Sequence, residues 1–138
     1  MNGRTAQQDP RLELRLEAKP DAVAKIRRQL AAFAARYSVE ESVDLALAVT
    51  EAVSNAVLHA YRGGETGLVR VVACVRDHEL VVVVRDYGCG MKPHPGSPGA
   101  GLGLSIIGAA ASEMRVERPD DGGTRIRLRF RRDHRVAA

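Results

Sequence analysis

Four consecutive valines, Val81-Val82-Val83-Val84, constrain the fold of this chain more than any other feature. A continuous β-branched run reads as a central strand covered on both faces. A second strand segment, about Val69–Arg76, precedes it across a short polar turn near Asp77-His78, so the valine strand spans about Leu80–Asp86. Strands that follow one another without an intervening helix argue for an α+β chain rather than an alternating α/β one.

The flanking segments fit that class. Leu12, Leu14 and Leu16 alternate with charges over Arg11–Glu17, the pattern of a half-buried strand. Pro20-Asp21 opens a helix, where proline is tolerated in the first turn, and Val23, Ile26, Leu30, Phe33 and Ala34 keep helical spacing to about Tyr37. Ser38, with Glu41 three residues on, forms a capping box for a second helix running from Val39 to about Tyr61. Gly63-Gly64 ends it. Tyr87–Gly101 holds five glycines and three prolines and reads as loop. Leu102 to about Ser112 reads as a third helix. Met114–Glu117 and Thr124–Arg131 close the chain as two strands around Asp120-Asp121-Gly122-Gly123. The expected architecture is a two-layer α/β sandwich: a mixed, mostly antiparallel sheet with about three helices on one face. One domain spans residues 11–132, with flexible tails at 1–10 and 133–138.

Composition narrows the function classes. The 138 residues are 45% hydrophobic and 28% charged, close to an ordinary globular domain, which excludes a disordered chain. No apolar run approaches the length of a membrane span, and Met1–Pro10 lacks the apolar stretch of a secretory signal. The two cysteines, Cys74 and Cys89, have neither zinc-site nor disulfide-framework spacing, which suits a reduced, cytoplasmic setting. The net charge is +4, and the one basic cluster, Arg125–Arg135, alternates with apolar residues as the solvent face of a strand does. With aromatics at 4% and no tryptophan, there is no stacking platform for single-stranded nucleic acid.

Three segments carry candidate chemistry. On the second helix, Glu51, Asn55 and His59 stand at i, i+4 and i+8 and share a stripe, opposite the apolar stripe Leu45, Val49, Ala52, Val53 and Ala56. An asparagine can offer its side-chain oxygen to Mg²⁺ while phosphates and waters complete the shell. A glutamate one turn away can act as general base. A solvated helix face has the same pattern. Asp86-Tyr87-Gly88-Cys89-Gly90 follows the valine strand: the carboxylate can accept from an exocyclic amine, and the glycines let backbone approach a flat ligand. A plain turn after a strand also uses Asp and Gly. Gly99-Ala100-Gly101-Leu102-Gly103-Leu104 leads into the third helix and offers free N–H groups to phosphate, or a hinge. Its spacing matches neither the P-loop nor the dinucleotide-binding fingerprint. Gly122-Gly123-Thr124 opens the last strand as a hairpin turn.

The order of these pieces is more specific than any one of them. Glu51-x-x-x-Asn55, Asp86-x-Gly88-x-Gly90, Gly99-x-Gly101-x-Gly103 and Gly123-Thr124 resemble the four nucleotide-binding boxes of the GHKL ATPase superfamily, the Bergerat fold. The stretch Glu51-Ala52-Val53-Ser54-Asn55-Ala56-Val57-Leu58-His59-Ala60-Tyr61 resembles the box of the anti-sigma-factor serine/threonine kinases in particular. Histidine kinases usually carry Lys or Arg where this chain has Leu58. The resemblance covers about Leu12–Arg131.

The resemblance implies an ATP- and Mg²⁺-dependent kinase that binds a sigma factor and phosphorylates an anti-sigma-factor antagonist. The alternatives are a nucleotide-binding partner switch without phosphotransfer, and a stand-alone histidine-kinase-type ATPase domain. By resemblance, Glu51 is the catalytic base and Asn55 the Mg²⁺ ligand. Asp86 holds the adenine amine, Gly88 and Gly90 line the base, and Thr124 assists there. Gly99, Gly101, Leu102, Gly103 and Leu104 form the phosphate-facing end of the lid. For His59 the resemblance leaves both a phosphate contact and packing at the helix end open. Arg27, on the first helix, falls nearest the arginine with which related kinases grip sigma factor and antagonist. A homodimer is implied; direct nucleic-acid and membrane contacts are not. Two departures stand out. Met91–Pro98 is short for a lid and holds three prolines, and no basic residue follows the glycine box until Arg115. Both would weaken the hold on nucleotide.

Overall fold

A computed structural model of the chain describes residues 9–37, 42–60, 67–88 and 113–131, the side chains of 42–44 and 59–60 excepted. Five strands form one sheet in the order β1-β2-β3-β5-β4: β1 (Arg11–Glu17), β2 (Leu68–Arg76), β3 (Glu79–Asp86), β4 (Glu113–Glu117) and β5 (Thr124–Arg131). Every pairing among the described strands is antiparallel, in keeping with the expected α+β sandwich on a mostly antiparallel sheet. Two helices are described, α1 (Pro20–Arg36) and α2 (Ser42–Asn55). The third expected helix, the capping box Ser38–Glu41 and the loop beyond Gly88 lie outside the described residues, as do 1–8 and 132–138. Chain just ahead of β1 is already engaged, since the Val75 N–H donates to the Pro10 carbonyl at 3.0 Å.

α1 starts at Pro20, whose missing N–H costs nothing in a first turn. It buries Ala22, Ile26, Leu30 and Ala34, a stripe of i, i+4 steps, and packs along α2 and β1. α2 buries Leu45, Ala48, Val49, Ala52 and Val53, so its expected core stripe is the observed one with Ala48 added. These side chains close over Val69, Val71, Ala73, Val75, Leu80, Val82, Val84, Ile126, Leu128 and Phe130 from the sheet.

Two expectations are corrected. The valine run lies in the central strand, but it is not covered equally on both faces. Leu80, Val82, Val84 and Asp86 are buried, while Val81 and Val83 are half-buried on the face away from the helices. Their cross-strand neighbours there are Cys74 and Arg129 for Val81, and Val72 and Arg127 for Val83. Arginine stems shade apolar neighbours while the charged heads reach water, which lets valine occupy an outward position. Nor is the second helix α-helical to its end. Ala56–Ala60 forms a π-helical turn, so the i+8 step that put residue 59 on the Glu51–Asn55 stripe assumed an unbroken α-helix.

Candidate functional site

β3 delivers Asp86 to the end of the central strand, on the helix side of the sheet. The residue is 6% exposed. Period two puts Val82, Val84 and Asp86 on one face, so the apolar register that builds the core also carries the carboxylate inward. The Gly88 N–H donates to Asp86 Oδ1 at 3.1 Å, and the Thr124 backbone N–H donates to the same carboxylate. Thr124 lies directly across from Asp86 in the β3–β5 register and is buried. Burial raises the Asp86 pKa above its ordinary value. The two backbone donors and the Arg85 charge oppose that shift without cancelling it. The result is a buried acceptor held in a fixed direction.

The turn between β4 and β5 closes against this site from the other side. Gly123 has φ +80°, and a Cβ there would fall onto the Asp86 carbonyl oxygen and come within 2.9 Å of Tyr87 Cα. The backbone of the last turn therefore lies flush against the Asp86–Tyr87 peptide, as only glycine permits.

α2 and its π turn pack on β3, the strand that ends in Asp86. Asn55 is the last residue of α2 and is 7% exposed, so the reading of its stripe as a solvated face fails for it. Its Nδ2 is buried with no hydrogen-bond partner among the described residues. A buried carboxamide with an open donor marks a place where a polar group belongs. Glu51, one turn earlier, is half-buried. Among the described residues no three His, Cys, Asp or Glu side chains gather as a metal cage. Mg²⁺ bound by one carboxamide, substrate phosphates and water needs no such cage, so Asn55 fits the ion it would hold.

A family model described as "Histidine kinase-like ATPase domain" matches residues 16–130. The chain is a histidine kinase-like ATPase. Its curated relatives place this ATPase in the anti-sigma-factor kinase branch. It is 34% identical to "Serine-protein kinase RsbW" of Bacillus licheniformis, over 91% of the chain and 88% of the relative. It is 31% identical to "Anti-sigma F factor" of Clostridium acetobutylicum, over 84% of the chain and 90% of the relative. A 44% match to "Serine-protein kinase RsbW" of Bacillus pumilus covers 56% of the chain and 50% of that relative. By kind, the ATPase is an ATP-binding serine/threonine protein kinase.

Of the ATPase's expected site residues, the structure brings Asp86, Gly88 and Thr124 into one hydrogen-bonded group. It places Glu51 and Asn55 on the helix packed over the same strand. Gly90, Gly99, Gly101, Leu102, Gly103 and Leu104 lie outside the described residues, as does the His59 side chain. Arg27 is exposed on α1, without an ion pair among the described residues. The sequence places Asp121 in a turn and Arg85 in a strand, but nothing in it joins the two beside the site. The Arg85 Nη2 donates to Asp121 Oδ1 at 2.9 Å across 36 residues of chain. A pairing of that span follows only from strand order, which local spacing does not encode.

Proposed function

We propose that this ATPase binds ATP with Mg²⁺, transfers the γ-phosphate to a serine or threonine of an anti-sigma-factor antagonist, and holds a sigma factor through its first helix. The observation that carries the reading is the buried Asp86 carboxylate, fixed by Gly88 and Thr124 at the end of the central strand. An acceptor so held suits an exocyclic amine such as that of adenine, and the Gly123 backbone packs flush against the Asp86–Tyr87 peptide that carries it.

The phosphates would lie toward α2. Mg²⁺, when bound, would neutralise phosphate charge. Asn55 would hold the ion through Oδ1, and its open Nδ2 can donate to a phosphate oxygen. Glu51 would accept the proton of the incoming hydroxyl as its oxygen bonds to the γ-phosphorus; the β–γ bridging bond breaks and ADP departs. The names of the relatives, serine-protein kinase and anti-sigma F factor, support transfer over a switch that only binds. No helix among the described residues is long and apolar enough to cross a membrane. The reading puts the protein in the cytoplasm, as a homodimer.

Labelled ATP, the wild-type protein and candidate antagonist proteins test it directly. Glu51→Gln should still bind ATP while phosphoprotein formation falls by roughly 10²–10⁴-fold, the usual scale for loss of a general base. Transfer at the wild-type rate by Glu51→Gln would remove Glu51 from the role of base.

A further inference from the structure

Arg85 stands one residue before Asp86 and, by strand alternation, on the opposite face of the sheet. Despite its charge the side chain is only 12% exposed. Its guanidinium has several partners, all belonging to the two turns that meet at the Asp86 site. Nε donates to the Asp86 carbonyl at 3.2 Å. Nη2 donates to Asp121 Oδ1 at 2.9 Å and to the Gly122 carbonyl at 3.1 Å. The cation also lies 4.5 Å from the centre of the Tyr87 ring. Tyr87 is held a second time by Arg70, which hydrogen-bonds to it and is itself fixed to Glu13 Oε2 at 2.7 Å.

This arrangement costs something to build. Arg70, Arg85 and Arg125 sit directly opposite one another across three strands, and like charges so placed repel. Each is paired with a carboxylate: Glu13, shared with Arg11 and Arg15, for Arg70, Asp121 for Arg85, Glu117 for Arg125. Hydrogen bonds from these arginines hold all three carboxyls below their ordinary pKa, so the pairs stay ionised through neutral pH. Ion pairs at a surface contribute little to stability. What Arg85 alone adds is geometry, because it grips the backbone of both turns with a rigid planar fork.

We propose that Arg85 is a positioning residue for base selection: from the face away from α1 and α2 it locks the Asp86–Gly88 turn to the Asp121–Gly123 turn, and so sets the direction of the Asp86 carboxylate. The inference rests on the reading of Asp86 as the acceptor for adenine. Hydrogen bonds weaken steeply with misalignment, so a loosened turn costs most for the ligand that uses this acceptor. ITP, which carries a carbonyl oxygen in place of the amine, gains nothing from an aligned Asp86. A positioning role therefore appears in the ratio of ATP to ITP affinity, whereas a merely structural role weakens both nucleotides together.

Titration calorimetry with ATP and ITP on the full chain separates the cases. Wild type should prefer ATP, and Asp86→Asn should lose that preference. Arg85→Met should narrow the ATP:ITP ratio by about threefold to tenfold, mainly by weakening ATP, the range expected for one impaired hydrogen bond. Arg85→Lys should fail to restore the ratio, because an ammonium cannot reach both turns as a fork does. Asp121→Ala removes one grip from an exposed position and should narrow the ratio with an unchanged melting midpoint; it decides the matter if Arg85→Met does not fold. A wild-type ratio in both Arg85→Met and Asp121→Ala, beside its loss in Asp86→Asn, would overturn the positioning role and leave the adenine reading standing. Equal weakening of ATP and ITP overturns it too. Wild type without any preference would instead sink the adenine reading, and this inference with it.

Discussion

Asp86 accepts from two backbone donors and still ionises less readily than a free carboxyl, because burial outweighs the hydrogen bonds. Its folded pKa lies above its unfolded one, so between the two values the folded chain holds more protons than the unfolded chain. Stability contributed by the bound proton is present at low pH and is lost as pH rises through the folded pKa. At neutral pH the ionised side chain is thus a cost that the unliganded protein carries and an amine donor would offset. Asp86→Asn removes that charge while keeping an oxygen for Gly88 and Thr124, so the unliganded variant should melt at or above the wild-type midpoint at neutral pH. Its amide nitrogen cannot accept from adenine, and ATP affinity should fall by about 5- to 150-fold, the equivalent of about 1–3 kcal/mol for an unpaired buried donor. Wild-type ATP affinity should also drop as pH falls through the Asp86 pKa, when the protonated carboxyl loses its charge. Asp86→Asn should lack that slope. Calorimetric titrations at a series of pH values check both, and a wild-type affinity flat across acid pH would contradict the assignment.

At the scale of elements, the two glycines ending the β4–β5 connection do different work. Gly122 has φ +98° with open space around it, whereas Gly123 has φ +80° and lies against the Asp86–Tyr87 backbone. Alanine at either position meets a conformation that costs about 1–3 kcal/mol for a side-chain-bearing residue. At Gly123 the clash with backbone adds to it. Gly123→Ala should therefore lose more stability in urea than Gly122→Ala and weaken ATP binding as well; equal urea midpoints would contradict the close approach. The sequence shows that a turn exists here, because Asp-Asp-Gly-Gly between two strand patterns is local chemistry. It does not show what the turn touches, which depends on β5 pairing with β3. The same division holds elsewhere. Strands β1 and β5 are legible from leucines or apolar residues alternating with charges, and α1 from its i, i+4 stripe. The outward half of β3 is not, since valine on both sides of the pleat hides the period. The burial of Asn55 is hidden too, because a polar residue four after a glutamate looks like a wet helix face.

For the whole molecule, the described helices lie on one side of the sheet, so any partner gripping α1 approaches from the side away from the Arg85 clamp. α1 turns Ala22, Ile26, Leu30 and Ala34 inward and leaves Arg27 and Arg28 exposed. The helix carries Lys25, Arg27, Arg28 and Arg36 against a single acid, Asp21, which pairs with Lys25 at 3.7 Å. Arg27 has no ion pair among the described residues, so its guanidinium is available to an incoming carboxylate. Exposed arginine is costly to immobilise, and a solvated helix face would carry the same residues. The two readings differ in what reversal of charge does. On a solvated face Arg27→Glu changes little, since surface substitutions away from special features shift stability by at most about 0.5 kcal/mol. At an interface an arginine anchor replaced by a like charge should weaken binding by about tenfold or more. Arg27→Glu should thus lose sigma factor or antagonist in a pull-down while ATP affinity and melting midpoint stay at wild-type values. Rising salt should weaken the wild-type complex in the same direction, because exposed charges are screened within about 10 Å at 0.1 M ionic strength. Retained binding in both Arg27→Glu and Arg28→Glu would move the partner surface off this helix.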